Sequence, residues 1–336
     1  PGLGSAIIAV IVVVHVVSSG LRGIAWLDLF NGFLILAMLV VYGFSILSAA
    51  GGPGGVLEGL GAIRDRFITI PGLQGVYTPS YIYGIAIGLS LGSVVLSPSM
   101  WIRMYSARSK SYFAKISGLM LLLWALAFVF GTYLIGSYGR TVFAEVESPE
   151  FLSSLLAFKV MPAFFATLFL VAVLAAIIST TDTYMHTLAA TVVRDLVRAV
   201  MWKEMDSSRE VRLNRIIIIV VAALGLLLAL SNPVSITRLA IFAGAITIQL
   251  LTPLLGAVTW SRASTEAALI APATGIFLTL AWELKIVPYP FPAHILPSLA
   301  TAFFINVSLF VVVSLLTRPQ SPDQVEKFHG LLAREL

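Results

Sequence analysis

The chain has 336 residues, of which 59% are hydrophobic and only 11% charged, against roughly a quarter charged in ordinary soluble domains. A mean hydropathy of +0.98, sustained from end to end, excludes a soluble globular fold, because no soluble core hides that much apolar surface. The net charge of +5 comes from Lys and Arg scattered through short connecting segments, which argues for membrane topology and against a nucleic-acid partner.

Apolar runs of about 20 residues recur along the chain, each able to cross roughly 30 Å of hydrocarbon. Lipid satisfies no backbone polar group, and the runs lack the period-2 alternation of barrel strands, so the spans are read as helices. About nine are predicted, at roughly 5–20, 24–49, 80–102, 114–136, 160–190, 213–231, 235–260, 264–286 and 296–317. They define a transmembrane domain over 1–317, followed by a polar tail over 318–336 that is expected to be largely unordered. The absence of cysteine excludes a disulfide framework, a thiolate nucleophile and a Cys-metal site. The chain opens Pro1-Gly2-Leu3 and enters an apolar run at once, so a preceding portion is expected to be missing.

Every second connection is basic. Arg22 follows the first span; Arg103, Arg108, Lys110 and Lys115 follow the third; Arg194, Arg198, Lys203, Arg209, Arg212 and Arg215 follow the fifth. Arg262 follows the seventh span, and Arg318, Lys327 and Arg334 follow the last. This alternation predicts a cell-membrane protein with its N-terminus outside and its C-terminus in the cytoplasm. Two connections are longer. Segment 50–79 opens on a glycine-rich hinge and continues as an amphipathic stretch through Leu57, Leu60 and Ile63, expected to lie along the outer interface. Segment 194–212 is expected to be a cytoplasmic cover of mixed charge.

Ionisable and polar groups inside spans carry the functional reading, because a charge near the bilayer centre costs roughly 2.5–3.5 kcal/mol even on the lenient insertion scale. His15 in the first span is read as a packed, hydrogen-bonded histidine. Asp28 opens the second span and reads as a snorkelling partner of Arg22, a cation ligand or a proton carrier. The third span is interrupted by Gly84, Gly88, Gly92, Ser93, Ser97, Pro98 and Ser99; discontinuous helices are where secondary transporters hold solute, which makes Ser93 and Ser97 candidate contacts. In the fifth span, helical spacing puts Ala176, Ser179, Asp182 and Thr183 on one side with Thr180 adjoining. Small residues there admit a neighbouring backbone, and hydroxyl and carboxylate oxygens suit a hard cation such as sodium; equally, the hydroxyls can bond back to their own helix. Gln249, next to the helix-disrupting Pro253, is a further substrate-contact candidate.

Four segments resemble signatures of the sodium:solute symporter family. Gly20 through Asp28 resembles the family's GGLxAVxWTDxxQ, with Leu27 in place of Thr and Asn31 in place of Gln. Pro98 through Arg103, followed by Ala107-Arg108-Ser109, resembles PxxxxR with AAKS. Leu174 through Asp182, followed by Arg194-Asp195-Leu196, resembles LAAIMSTADS with xxDLY and is the most specific of the four. Gln249 through Pro253, with Trp260-Ser261-Arg262 and Ala267, resembles QLLPP with WKRxTxxGA.

The resemblance implies an all-α membrane protein with a LeuT-like inverted-repeat core, here partial, in which the first predicted span matches the fourth core helix and the fifth span the eighth. It implies sodium as the co-transported ion. The principal sodium site carries over to the Ala176 carbonyl and the Ser179 and Thr180 hydroxyls. A second cation site, found in some members, carries over to Asp28 and Ser179 with Asp182 and Thr183, where Asp182 adds a charge other members lack. The implied function is symport of a small organic solute, with no enzymatic chemistry. Three other readings stay open: proton coupling through Asp28 and Asp182, a truncated chain that transports nothing, and an intramembrane aspartyl protease using those carboxylates. Neither Asp lies in the Tyr-Asp or Gly-x-Gly-Asp context that such proteases use.

Overall fold

The computed structural model describes residues 2–63, 69, 78–87, 96–105, 109–143, 145–146, 148–202, 204–231, 236–292 and 296–326. Among them every regular element is a helix, and seven helices are long and apolar enough to cross a membrane. The helices are α1 (Gly2–Ala50), α2 (Pro53–Ile63), α3 (Pro79–Ile87), α4 (Pro98–Tyr105), α5 (Lys110–Leu126), α6 (Leu134–Val142) and α7 (Leu152–Val160). They continue as α8 (Ala163–Thr191), α9 (Ser207–Ser231), α10 (Ile236–Thr247), α11 (Leu251–Thr259), α12 (Thr265–Glu283), α13 (Ser298–Leu316) and the short α14 (Pro322–Val325). Large apolar side chains such as Leu121, Phe128, Leu224, Phe277 and Val312 are exposed, the distribution expected where lipid is the solvent. The chain divides into two compact units, Pro1–Ile68 with Tyr105–Pro233, and Thr69–Met104 with Val234–Leu336.

In the first unit α1 packs along α8 through two apolar clusters. Val12 and Val16 meet Met185 and Ala189 of α8 with Ile218 and Ala222 of α9. Further along, Met38, Tyr42 and Ile46 meet Leu156 and Ala157 of α7 with Ala166, Phe169 and Ala172 of α8. The Tyr42 and Phe169 rings pack edge to face at 4.8 Å, and the Tyr42 hydroxyl donates to the Ser153 carbonyl at 2.7 Å. Lipid tails are as apolar as these side chains, so close packing supplies the attraction. Gly43 sets the closest approach: a Cβ there would lie 1.9 Å from the Phe130 ring on the π-helical stretch Ala127–Tyr133.

Two spans were expected where the structure has the single helix α1, helical through Arg22 without a break. Its 49 residues amount to about 70 Å of helix, more than twice the hydrocarbon thickness. His15 and Asp28 nonetheless bond to the same turn of α8. A straight helix would set them about 20 Å apart, so the α1 axis bends between them. Ser18 lies in that interval with its Oγ bonded back to the Val14 carbonyl at 2.6 Å, beside Gly20 and Gly23, a composition that kinks helices.

The glycine hinge is present: Gly51 and Gly52 have φ of 76° and 102°, and the Gly52 N–H caps α1 by donating to the Leu47 carbonyl. The amphipathic stretch beyond it is α2, but its buried face is Val56 and Leu60, packed into the first unit, while Leu57 and Ile63 are exposed. Within segment 194–212 a π-helical stretch Val192–Met201 prolongs α8, and α9 starts at Ser207.

In the second unit α12 lies along α13, and a 3-10 turn, Ile248–Leu250, joins α10 to α11. Ser264 caps α12, and the Arg262 guanidinium donates to the Leu315 and Thr317 carbonyls, filling the otherwise bare end of α13. Gln320 reaches back to Thr265 at 2.6 Å. The beginning of the polar tail is therefore fastened where disorder was expected; residues 327–336 lie outside the described residues.

Candidate functional site

The turn of α8 from Ala175 to Thr183 meets α1 through polar groups. The Ser179 hydroxyl donates to Asp28 Oδ1, and the Thr183 hydroxyl lies 3.4 Å from Asp28 Oδ2 and 3.1 Å from the Ser179 carbonyl. Residues 179 and 183 are one turn apart, so α8 offers both hydroxyls to one carboxylate. Asp28 thus has hydroxyl partners across the helix interface; the Arg22 side chain, its other partner in the reading from sequence, lies outside the described residues. Asn31, one turn beyond Asp28 and buried, donates to the Ala175 carbonyl at 3.1 Å and fixes the two helices in register.

Asp182 is fully buried. His15 Nδ1 bonds its Oδ2, and among the described residues Oδ1 has no hydrogen-bond partner. Asp182 and Asp28 are close enough to interact electrostatically, so two carboxylates share this stretch of the α1–α8 interface. Among the described residues no group of three or more His, Asp or Glu side chains forms a metal-type cluster. The donor set here is two carboxylates with hydroxyls, hard oxygens of the kind that suit a monovalent or alkaline-earth cation.

Thr180 points elsewhere. Its side chain is exposed and bonds back to the Ala176 carbonyl at 2.8 Å, the local alternative weighed from sequence. Of the three principal-site candidates, Ala176 and Thr180 are therefore joined within α8, while Ser179 is turned toward α1 and Asp28.

The family model of the Sodium:solute symporter family matches residues 3–275. The chain belongs to this family. Curated relatives include a sodium/pantothenate symporter of Escherichia coli, 28% identical over 81% of this chain and 56% of its own length. Another is a sodium/pantothenate symporter of Haemophilus influenzae, 24% identical over 80% of this chain and 55% of its own length. The chain thus spans about half the length of the curated relatives it matches. Among solved structures, a Na+-coupled sialic acid symporter in a substrate-bound outward-open state superposes with a TM-score of 0.75 at 16% identity, over 96% of this chain and 68% of that one. That likeness shows the LeuT-like fold expected from the sequence motifs, in a multi-pass membrane protein.

In this symporter-family chain the solute-contact candidates fall in the second unit. Ser97 is buried beside the N-terminus of α4 and bonded to Ser99 at 2.7 Å, and the non-helical Leu96 and Ser97 bear out the predicted interruption of that span. Ser93 lies outside the described residues. Gln249 is fully buried: its amide donates to the Ala245 carbonyl at 3.1 Å, and its Oε1 accepts from Asn306 at 3.0 Å. Asn306 also donates to the Gln249 main-chain carbonyl at 2.7 Å. The Gln249 carbonyl, freed by Pro253, is thus met by a side chain from α13. The sequence placed Asn31 in the first motif without a role, although it falls one turn from Asp28, a signal of shared face; nothing local marks Asn306.

Proposed function

We propose that this chain is part of a sodium-coupled symporter that carries a small organic solute across the cytoplasmic membrane, with its C-terminus in the cytoplasm and no covalent chemistry on the solute. The observation that carries this reading is the convergence of Ser179 and Thr183 hydroxyls from α8 on the Asp28 carboxylate of α1. Ser179 and Thr180, with the Ala176 carbonyl, hold the principal sodium; Asp28, Asp182 and Thr183 hold a second cation, sharing Ser179. Each sodium replaces its water with hydroxyl, carbonyl and carboxylate oxygens. Ser97 and Gln249 shape the solute wall from behind, since both side chains are buried; Ser93 is kept as a solute-contact candidate from the sequence alone.

Sodium drives the cycle only by binding one state more tightly than the other, since equal binding shifts nothing. The second cation's ligands lie on two helices whose packing can differ between states, so binding across α1 and α8 favours the state in which they are closed on each other. The test is uptake by the full-length protein in proteoliposomes with an imposed sodium gradient, beginning with pantothenate because both curated relatives above are named for it. Uptake that requires sodium and is impaired in Ser179→Ala supports the reading; uptake indifferent to sodium at fixed pH removes it. The His15–Asp182 pair favours a second reading, proton coupling on the same scaffold. Replacing sodium by choline at constant pH separates the two: a proton-coupled carrier keeps its rate.

A further inference from the structure

Asp182 is the one carboxylate at this interface whose two oxygens are treated differently. Oδ2 is taken by His15 across the α1–α8 contact, while Oδ1 is buried with no hydrogen-bond partner among the described residues, although the residue is fully enclosed. With Asp182 ionised, as a cation ligand must be, the carboxylate only accepts, the hydrogen of this contact sits on His15 Nδ1, and the imidazole acts as a one-sided handle. A buried carboxylate oxygen with no donor is costly, and the neighbouring Asp28 carboxylate makes it more so. A cation on Oδ1 would remove both penalties. His15 itself is fixed by packing: Val12 and Val16 flank it in the apolar cluster with Met185, Ala189, Ile218 and Ala222.

We propose that His15 is the positioning residue of the second cation site, holding Asp182 by one oxygen so that the other is presented to a single monovalent cation. This rests on the reading of Asp28, Asp182 and Thr183 as that site. With the handle in place Asp182 is a one-oxygen ligand of fixed direction. Without it the carboxylate is free to rotate, and the site loses its preset geometry. Partners that orient a metal's ligands typically contribute about 10- to 100-fold in affinity.

The experiment is a sodium chloride titration of the full-length detergent-purified protein against choline chloride at constant ionic strength, read by melting temperature in a Thr180→Ala background that silences the principal site. No solute is needed. Asp182→Asn and Asp28→Asn test the site itself, and each raises the sodium half-saturation about 10-fold or more if the site exists. His15→Ala raises it by a similar factor, whereas His15→Asn, whose amide N–H falls where Nδ1–H was, returns it to within about twofold of the parent. Melting temperatures in choline alone report folding, and a merely structural histidine would lower these without moving the half-saturation. If both aspartate variants leave the half-saturation unchanged, the second site is absent and the proposal falls with it. If the aspartate variants shift it and His15→Ala does not, the site stands and the role of His15 is refuted.

Discussion

At the scale of single residues, the interface between α1 and α8 depends on hydroxyls that face a buried charge. Ser179→Ala removes the donor to Asp28 Oδ1 and a proposed sodium ligand at once, and bonds to charged groups contribute about 1.5–3 kcal/mol. The expected outcome is a rise of roughly 10- to 100-fold in the sodium half-saturation of uptake. Thr183→Ala, at the longer 3.4 Å contact, is expected to move it less. In the second unit, a Cβ on Gly275 would lie 2.2 Å from Gln249 Oε1. Gly275→Ala therefore displaces the carboxamide from Asn306, and a fall in melting temperature corresponding to about 1–3 kcal/mol is expected, with sodium half-saturation unchanged. The oxygen-rich face of α8 was legible from helical spacing alone. The partner of Asp182 was not, because His15 is 167 positions away and only the folded chain brings the two together.

At the scale of elements, the close approach of α1 to the π-helical stretch Ala127–Tyr133 rests on the absence of a side chain at Gly43. Gly43→Ala is expected to destabilise the protein by about 1–3 kcal/mol through overpacking. Phe130→Ala in the same molecule should recover part of that loss, a coupling that a thermal double-mutant cycle measures directly. Helix positions were largely readable from sequence, because runs of about 20 apolar residues have no other solution in lipid. Helix continuity was not. Arg22 marks a boundary by charge, yet the backbone stays helical there, and the reach of both His15 and Asp28 to one turn of α8 requires α1 to bend. The amphipathic helix α2 was legible from spacing, but the inward packing of Val56 beside Leu60 was not, because it is chosen by tertiary neighbours.

At the scale of the whole molecule, composition alone fixed the class, and the family motifs reached the fold because they fall at the helix turns that carry polar groups. The two compact units divide the proposed roles, with the cation ligands in the first and the solute-wall candidates in the second. The central claim is that sodium binds this folded protein at the α8 turn from Ala176 to Thr183. It is tested most directly by the melting temperature of the purified full-length protein in sodium against potassium at equal ionic strength. A ligand that binds only the folded state at 100 times its dissociation constant stabilises it by about 2.7 kcal/mol. The account predicts a sodium-specific rise that shrinks in both Ser179→Ala and Thr180→Ala; equal melting temperatures in the two cations would contradict it.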